Sequence, residues 1–251
     1  LGLPTLRLRA DYLAIVTIAA SEIVRLVVNA PELRDFSGGV DGLFGFNDTF
    51  SDLNPFVLDA TYGFGPLTWR GNDVWFVIVG WISVLVVAAL TFLLVRSPWG
   101  RVVKAIREDE DAVRALGKNA YVFKLQALVL GGVIGGLGGI LLALNKGSVN
   151  PQDFQTQVTF IAYAVVIIGG MGRVFGPIVG SIILWAILAF TGAFLREATS
   201  GSDALIPSWL LEGGEVGVTR LMMVGLMLVL LMAFRPQGMF GKREEMALDA
   251  S

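Results

Sequence analysis

Two charge-free runs restrict this chain more than anything else in it. Trp75–Val95 is 21 residues without a charge, and Leu125–Leu144 is 20 residues without one. A helix needs about 20 largely apolar residues to cross a bilayer, and it satisfies its backbone polar groups internally, as an apolar solvent demands. Both runs therefore read as membrane spans. Thr219–Phe234 reads as another, with Arg220 near its end, and Tyr12–Val28 as a span that carries Glu22 and Arg25 inside it. Val158–Leu195 is too long for a single crossing: its 38 residues would reach about 57 Å as one helix, against a hydrocarbon core of about 30 Å. The run Gly169-Gly170-Met171-Gly172-Arg173-Val174-Phe175-Gly176-Pro177 interrupts it, and Gly and Pro at that density break helices. The reading is two spans, Val158–Met171 and Pro177–Leu195, joined by a tight turn. The expected fold is all-α, a polytopic membrane helix bundle with about six transmembrane helices forming one transmembrane domain over residues 1–251. The chain opens at Leu1 rather than Met, so further N-terminal helices are expected upstream.

Charge orients the bundle. With six spans, residues 1–11, 96–124, 172–176 and 235–251 share one side and hold 13 Lys and Arg, while 29–74, 145–157 and 196–220 hold five. The positive side faces the cytoplasm. A single crossing over 158–195 would move Arg235, Lys242 and Arg243 outside, so the count supports the break. Composition removes other readings. The chain has no His and no Cys, so disulfides, thiolate nucleophiles and imidazole general bases or ligands are all missing. No metal, cofactor or nucleic-acid partner is expected. A membrane enzyme has little to work with.

Two connections are too long to be turns. Residues 29–74 are acidic, rich in Gly and aromatics, and expected outside the membrane; within them Phe56–Phe64 reads as either loop or a short interfacial or re-entrant helix. Residues 96–124 form the cytoplasmic loop. There Ser97 is placed to cap a helix with Pro98 at its first position. Asp109 is placed to cap a second, whose first turn carries Glu110 and Asp111, and Gly117 supplies a left-handed stop. The second helix groups Ala112, Val113 and Leu116 into an apolar patch. Such a helix suits docking into a groove on a cytoplasmic partner; lying on anionic headgroups, with seven basic residues in the loop, is the alternative.

Glu22 and Arg25, spaced i, i+3, lie on one helix face and can pair, with Thr17, Ser21 and Asn29 as possible polar neighbours. A charge within a span faces the bundle or water. The pair is either a neutralised structural contact or a polar wall of a solute path recognising a zwitterion. Gly131, Gly132, Gly135, Gly136 and Gly139 give small-xxx-small pairs that admit a neighbouring helix closely, as static packing or as a moving seam. The Gly170–Gly176 turn is no phosphate loop: it has the spacing GxGxxxG and no following Lys-Ser/Thr. Trp75, Trp81, Trp99 and Trp209 lie near span ends or interfaces.

The run Ser97-Pro98-Trp99-Gly100-Arg101, followed by Ala105-Ile106-Arg107-Glu108-Asp109-Glu110, Ala115-Leu116-Gly117 and Lys124, resembles permeases of the branched-chain amino acid ABC importers, of the LivM type. Asp11-Tyr12-Leu13-Ala14-Ile15-Val16-Thr17, Glu22-Ile23, Gly38-Gly39-Val40-Asp41-Gly42-Leu43, Asn150-Pro151, Ile168-Gly169-Gly170-Met171-Gly172, Gly176-Pro177 and Arg235-Pro236-Gln237-Gly238 match in the family's order. The resemblance implies a permease of a bacterial or archaeal cell membrane, without ATP binding of its own. It implies a LivH-type permease partner, two cytoplasmic ATP-binding subunits and an external solute-binding protein. It also assigns Glu108, Asp109, Glu110, Asp111, Ala112, Val113, Leu116 and Gly117 to the contact with an ATPase subunit. Ala19-Ala20-Ser21 departs from the Gly and Phe common before the Glu in relatives, and the family's first helices have no counterpart. The competing class is an ion-coupled secondary transporter or a channel for small polar solutes such as amides or urea. Ion coupling normally requires ionisable sites at mid-membrane, and Glu22/Arg25 is the only charged pair inside a span.

Overall fold

A computed structural model describes residues 10–57, 60–64, 67–170 and 172–199, with isolated positions at 222, 225, 226 and 229. The expected span Thr219–Phe234 and Trp209 therefore lie outside the continuously described residues. The chain packs as two units, Leu1–Val158 and Thr159–Ser251.

The first unit opens with helix α1, Ala10–Val28. It bends by 63° into the segment Pro31–Ser37, a single 3-10 turn over Pro31–Leu33 followed by α2, Arg34–Ser37. Pro31 removes an amide donor at the bend and starts the new turn. Gly38 ends it with a φ of 74°. A side chain at Gly38 would lie 2.0 Å from the Gly42 carbonyl oxygen, so the turn over 38–42 closes only on glycine. Strand β1, Leu43–Phe44, follows, then α3, Asp48–Asp52.

Where Phe56–Phe64 was expected as loop or short helix, the structure has a hairpin. Strand β2, Thr61–Phe64, pairs antiparallel with β3, Leu67–Arg70, in the register Thr61↔Arg70 and Tyr62↔Trp69. The helical alternative is thus corrected. Thr, Tyr and Phe favour the pleated surface, and the Asn54 side chain accepts from the Phe56 amide at 2.9 Å, turning the chain before a helix can start.

Helix α4, Gly71–Arg96, starts directly after β3. Two short helices follow, α5 (Pro98–Glu108) and α6 (Glu110–Ala115), and then α7, Ala120–Lys146. Gly147 (φ 62°) leads into β4, Ser148–Val149, which pairs with β1 as Leu43↔Val149 and Phe44↔Ser148. A 3-10 turn over Pro151–Phe154 comes next, capped by Asn150 and closed by the Lys146–Asp153 ion pair.

The second unit, from Thr159 on, holds a helical hairpin of α8, Thr156–Gly169, whose first three residues belong to the first unit, and α9, Gly176–Thr199. The expected break is present, with left-handed Gly170 and Gly172 between the helices. Its core is Ala164, Ile168, Leu184 and Leu188. The two helices touch backbone to backbone: a Cβ on Gly180 would lie 2.1 Å from the Val165 carbonyl oxygen.

Among the described residues three helices are long and apolar enough to cross a membrane, Gly71–Arg96, Ala120–Lys146 and Gly176–Phe194, with Tyr12–Val28 plus Pro31–Ser37 as a bent fourth. Helix α8 has 14 residues and is about 21 Å long at 1.5 Å per residue, short of a full crossing.

Candidate functional site: the elbow between two membrane helices

The segment joining α4 to α7 is built by local rules. The Ser97 amide closes α4 on the Leu93 and Leu94 carbonyls. Its hydroxyl accepts from the Gly100 amide at 3.3 Å, and Pro98 takes the first position of α5, as the sequence implies. A Cβ at Gly100 would lie 2.4 Å from the Val95 carbonyl oxygen. The sharp turn from α4 into α5 thus closes only on glycine. Helix α5 turns Val102, Ala105 and Ile106 inward and leaves Arg101, Lys104 and Arg107 exposed.

Asp109 caps α6, accepting from the Ala112 amide at 2.9 Å. Gly117 (φ 75°) ends it. The Gly117 amide bonds to the Arg114 carbonyl and the Lys118 amide to that of Val113, a Schellman closure. Glu110, at the start of α6, carries an ion pair with Lys124 of α7 and a second with Arg114 at 2.8 Å. The hydrogen bond from Lys124 holds the Glu110 carboxyl below its usual range, against the opposing effect of partial burial. Trp99 Nε1 donates to Gln126 Oε1 at 2.8 Å, tying α5 to α7 as well.

The expected patch of Ala112, Val113 and Leu116 does not form one face. Val113 is 5% exposed and packs with Ile106 and Ala120, whereas Leu116 is 80% exposed and Ala112 is exposed with it. At about 100° per residue, positions 112 and 116 stay within ~40° of each other while 113 turns away. The elbow's own core claims Val113. Ala112 and Leu116 face solvent, in a surface that also exposes Glu108, Asp109, Asp111, Arg114 and Lys118.

The other candidate residues lie in α1. Arg25 Nε donates to both Glu22 carboxylate oxygens, at 3.1 and 3.0 Å, so the expected pair forms. Thr17 and Ser21 do not join it. Their hydroxyls donate to α1's own carbonyls, Thr17 to Leu13 and Ala14, Ser21 to Ile18, which competes locally with any side-chain partner. Thr156, which sequence spacing gives no reason to choose, interacts with the Glu22 carboxylate, and α1 contacts the turn over Pro151–Phe154. In α7, a Cβ at Gly131, Gly132, Gly135 or Gly136 would meet nothing within 4 Å among the described residues, and at Gly139 only the Phe154 ring, at 3.5 Å. That face is open among the described residues.

Long apolar helices joined by a capped elbow define a polytopic helical membrane protein. Its kind is settled by comparison. Residues 1–232 match the family described as branched-chain amino acid transport system, permease component, and the chain belongs to that family of transport subunits. It is 32% identical over 95% of its length to the high-affinity branched-chain amino acid transport system permease protein LivM of Escherichia coli, of which it covers 53%. It is 26% identical over 96% of its length to the probable LivM of Methanocaldococcus jannaschii, covering 63% of it. It is 25% identical over 76% of its length to the permease protein BraD of Pseudomonas aeruginosa, covering 56%. The chain thus spans about half the length of several curated relatives it matches. No solved structure matches it.

Proposed function

We propose that this chain is the membrane permease subunit of an ATP-driven importer, forming with a LivH-type permease the path for branched-chain amino acids or similar small zwitterions. In this reading residues 1–251 act as one transmembrane domain of about six spans, with the elbow on the cytoplasmic side. Two cytoplasmic ATP-binding subunits and an external solute-binding protein complete the assembly. Glu108–Gly117 form the contact with an ATPase subunit, and Glu22 and Arg25, with Thr17 and Ser21 on the same helix, line the solute path. The glycines at 131, 132, 135, 136 and 139 receive a neighbouring helix.

One observation carries the docking part: a six-residue helix, too short to persist alone, is capped at both ends and pinned from behind, yet shows a large apolar side chain, Leu116, to solvent. The alternative of a headgroup anchor would rest on the exposed Arg101, Lys104 and Arg107 of α5, since the bilayer's inner surface is negative, and a cross-link to the ATPase subunit distinguishes the two. Replacing Ala112 or Leu116 by Arg should leave membrane levels normal while abolishing uptake of labelled leucine. The chain lacks Cys, so a single Cys at 112 or 116 should cross-link to a Cys in the ATPase subunit's surface cleft. Normal uptake by both Arg variants, with no cross-link from any position between 110 and 117, would overturn the docking assignment.

A further inference from the structure

We infer that the Glu110–Lys124 ion pair is a coupling strut: it makes the docking helix α6 and the membrane helix α7 move as one, so that displacement of α6 is passed into the bilayer. This rests on the reading that α6 docks on an ATPase subunit and is independent of the cargo.

Residues three and four apart share a helix face. On α6 that places Glu110 with Val113, and on α7 Ala120 with Lys124. Both pairs are occupied with each other: Val113 packs in one cluster with Ala120, which is 1% exposed, and Glu110 pairs with Lys124. The two helices therefore touch at two points, one apolar and one ionic. The apolar point gathers Val113 and Ala120 with Ile106 and Phe123, and apolar contact is non-directional; by itself it leaves α6 free to roll against the end of α7. The ionic point fixes direction. Its side chains are 29% and 34% exposed, and Lys124 is the last charge before the charge-free run of α7. The pair thus sits where α7 enters its apolar run, partly withdrawn from water, so that leaving either charge without its partner carries a desolvation cost. Arg114 holds the second carboxylate oxygen of Glu110 from the exposed side, and Trp99–Gln126 grips α7 through α5. Ala112 and Leu116 face away from all of this. Helix α6 has one face for the partner and one for the membrane helix.

The test uses the assembled importer in proteoliposomes, with three readouts: the cross-link from a single Cys at 116 to the ATPase subunit, ATP hydrolysis, and leucine taken up per ATP hydrolysed. Lys124→Gln should keep the cross-link and hydrolysis while uptake per ATP falls tenfold or more, and Lys124→Arg should restore it. In the Cys-free chain, Glu110→Cys with Lys124→Cys should be uncoupled as made and recover when a short bifunctional thiol reagent joins the two. If Lys124→Gln keeps the cross-link and couples like the unmodified chain, the strut is refuted while docking stands. If Lys124→Gln loses the cross-link, the pair only positions α6, and the inference fails as well. If no cross-link forms even with Lys124 present, the docking reading fails first and takes the strut with it.

Discussion

The same substitution, Gly to Ala, should have opposite signs at two helical positions. At Gly180 the new methyl would lie 2.1 Å from the Val165 carbonyl oxygen and 2.8 Å from the Gly169 amide nitrogen. A carbon approaches a carbonyl oxygen to about 3.3 Å, so α8 and α9 must part by roughly 1 Å where both contacts are backbone and neither can rotate away. Overpacking of this kind costs about 1–3 kcal/mol, only partly offset by the 0.5–1 kcal/mol or so that Ala gains over Gly within a helix. At Gly131 no atom of the described residues lies within 4 Å of the added carbon, so the helix gain of about 0.5–1 kcal/mol should appear alone. For a chain of this size 1 kcal/mol shifts a melting temperature by roughly 2–4 °C. Thermal melts of the isolated chain in detergent should therefore place Gly180→Ala several degrees below Gly131→Ala, with the unmodified chain between them. A Gly180→Ala protein as stable as its parent would refute backbone contact between α8 and α9, and a destabilised Gly131→Ala would refute the open face on α7.

Three further outcomes are expected. Asp109→Ala removes the cap of α6 at a cost of about 1 kcal/mol, so amide exchange over residues 110–115 should quicken roughly fivefold, whereas Asp109→Asn should change it little. Glu22→Gln strands Arg25 without its partner, so it should reduce folded yield more than Glu22→Gln combined with Arg25→Gln; equal yields would show the two side chains to be uncoupled. The Lys146 hydrogen bond and the Asn150 amide hold the Asp153 carboxyl below its usual range. Its contribution to stability is then fully present above the unfolded carboxylate range and lost as pH falls through the folded value. Stability measured from pH 7 to pH 3 should fall more steeply for the unmodified chain than for Asp153→Asn, and parallel curves would remove Asp153 from that role.

The features legible in the sequence are those whose cause is local. Helices α4 and α7 announce themselves by charge-free length, the break at Gly169–Gly176 by glycine and proline, and the ends of the elbow helices by Ser97, Asp109 and Gly117. The Glu22–Arg25 pair follows from i, i+3 spacing. Contacts set by distant chain are different. Strands β1 and β4 have two residues each, too few to show a period of two, and β2 hides in an aromatic stretch equally suited to a short helix. Glu110 reaches its partner on the next helix, where no spacing rule points. Helical position groups Ala112 with Leu116, but only the presence of Ile106 and Ala120 decides that Val113 faces inward.

The pairing of β1 with β4 also sets an order of events. Leu43 and Phe44 find Val149 and Ser148 roughly a hundred residues later, and synthesis proceeds at about 5–20 residues per second. The edge of β1 therefore stays unpaired for about 5–20 s on the ribosome, while α4 and α7 are made and inserted. The strap can close only after both helices have been synthesised. Closure of β1 on β4 then serves as a timestamp of maturation: protease resistance at Leu43–Phe44 should appear late in a pulse-chase, after resistance in α4 and α7.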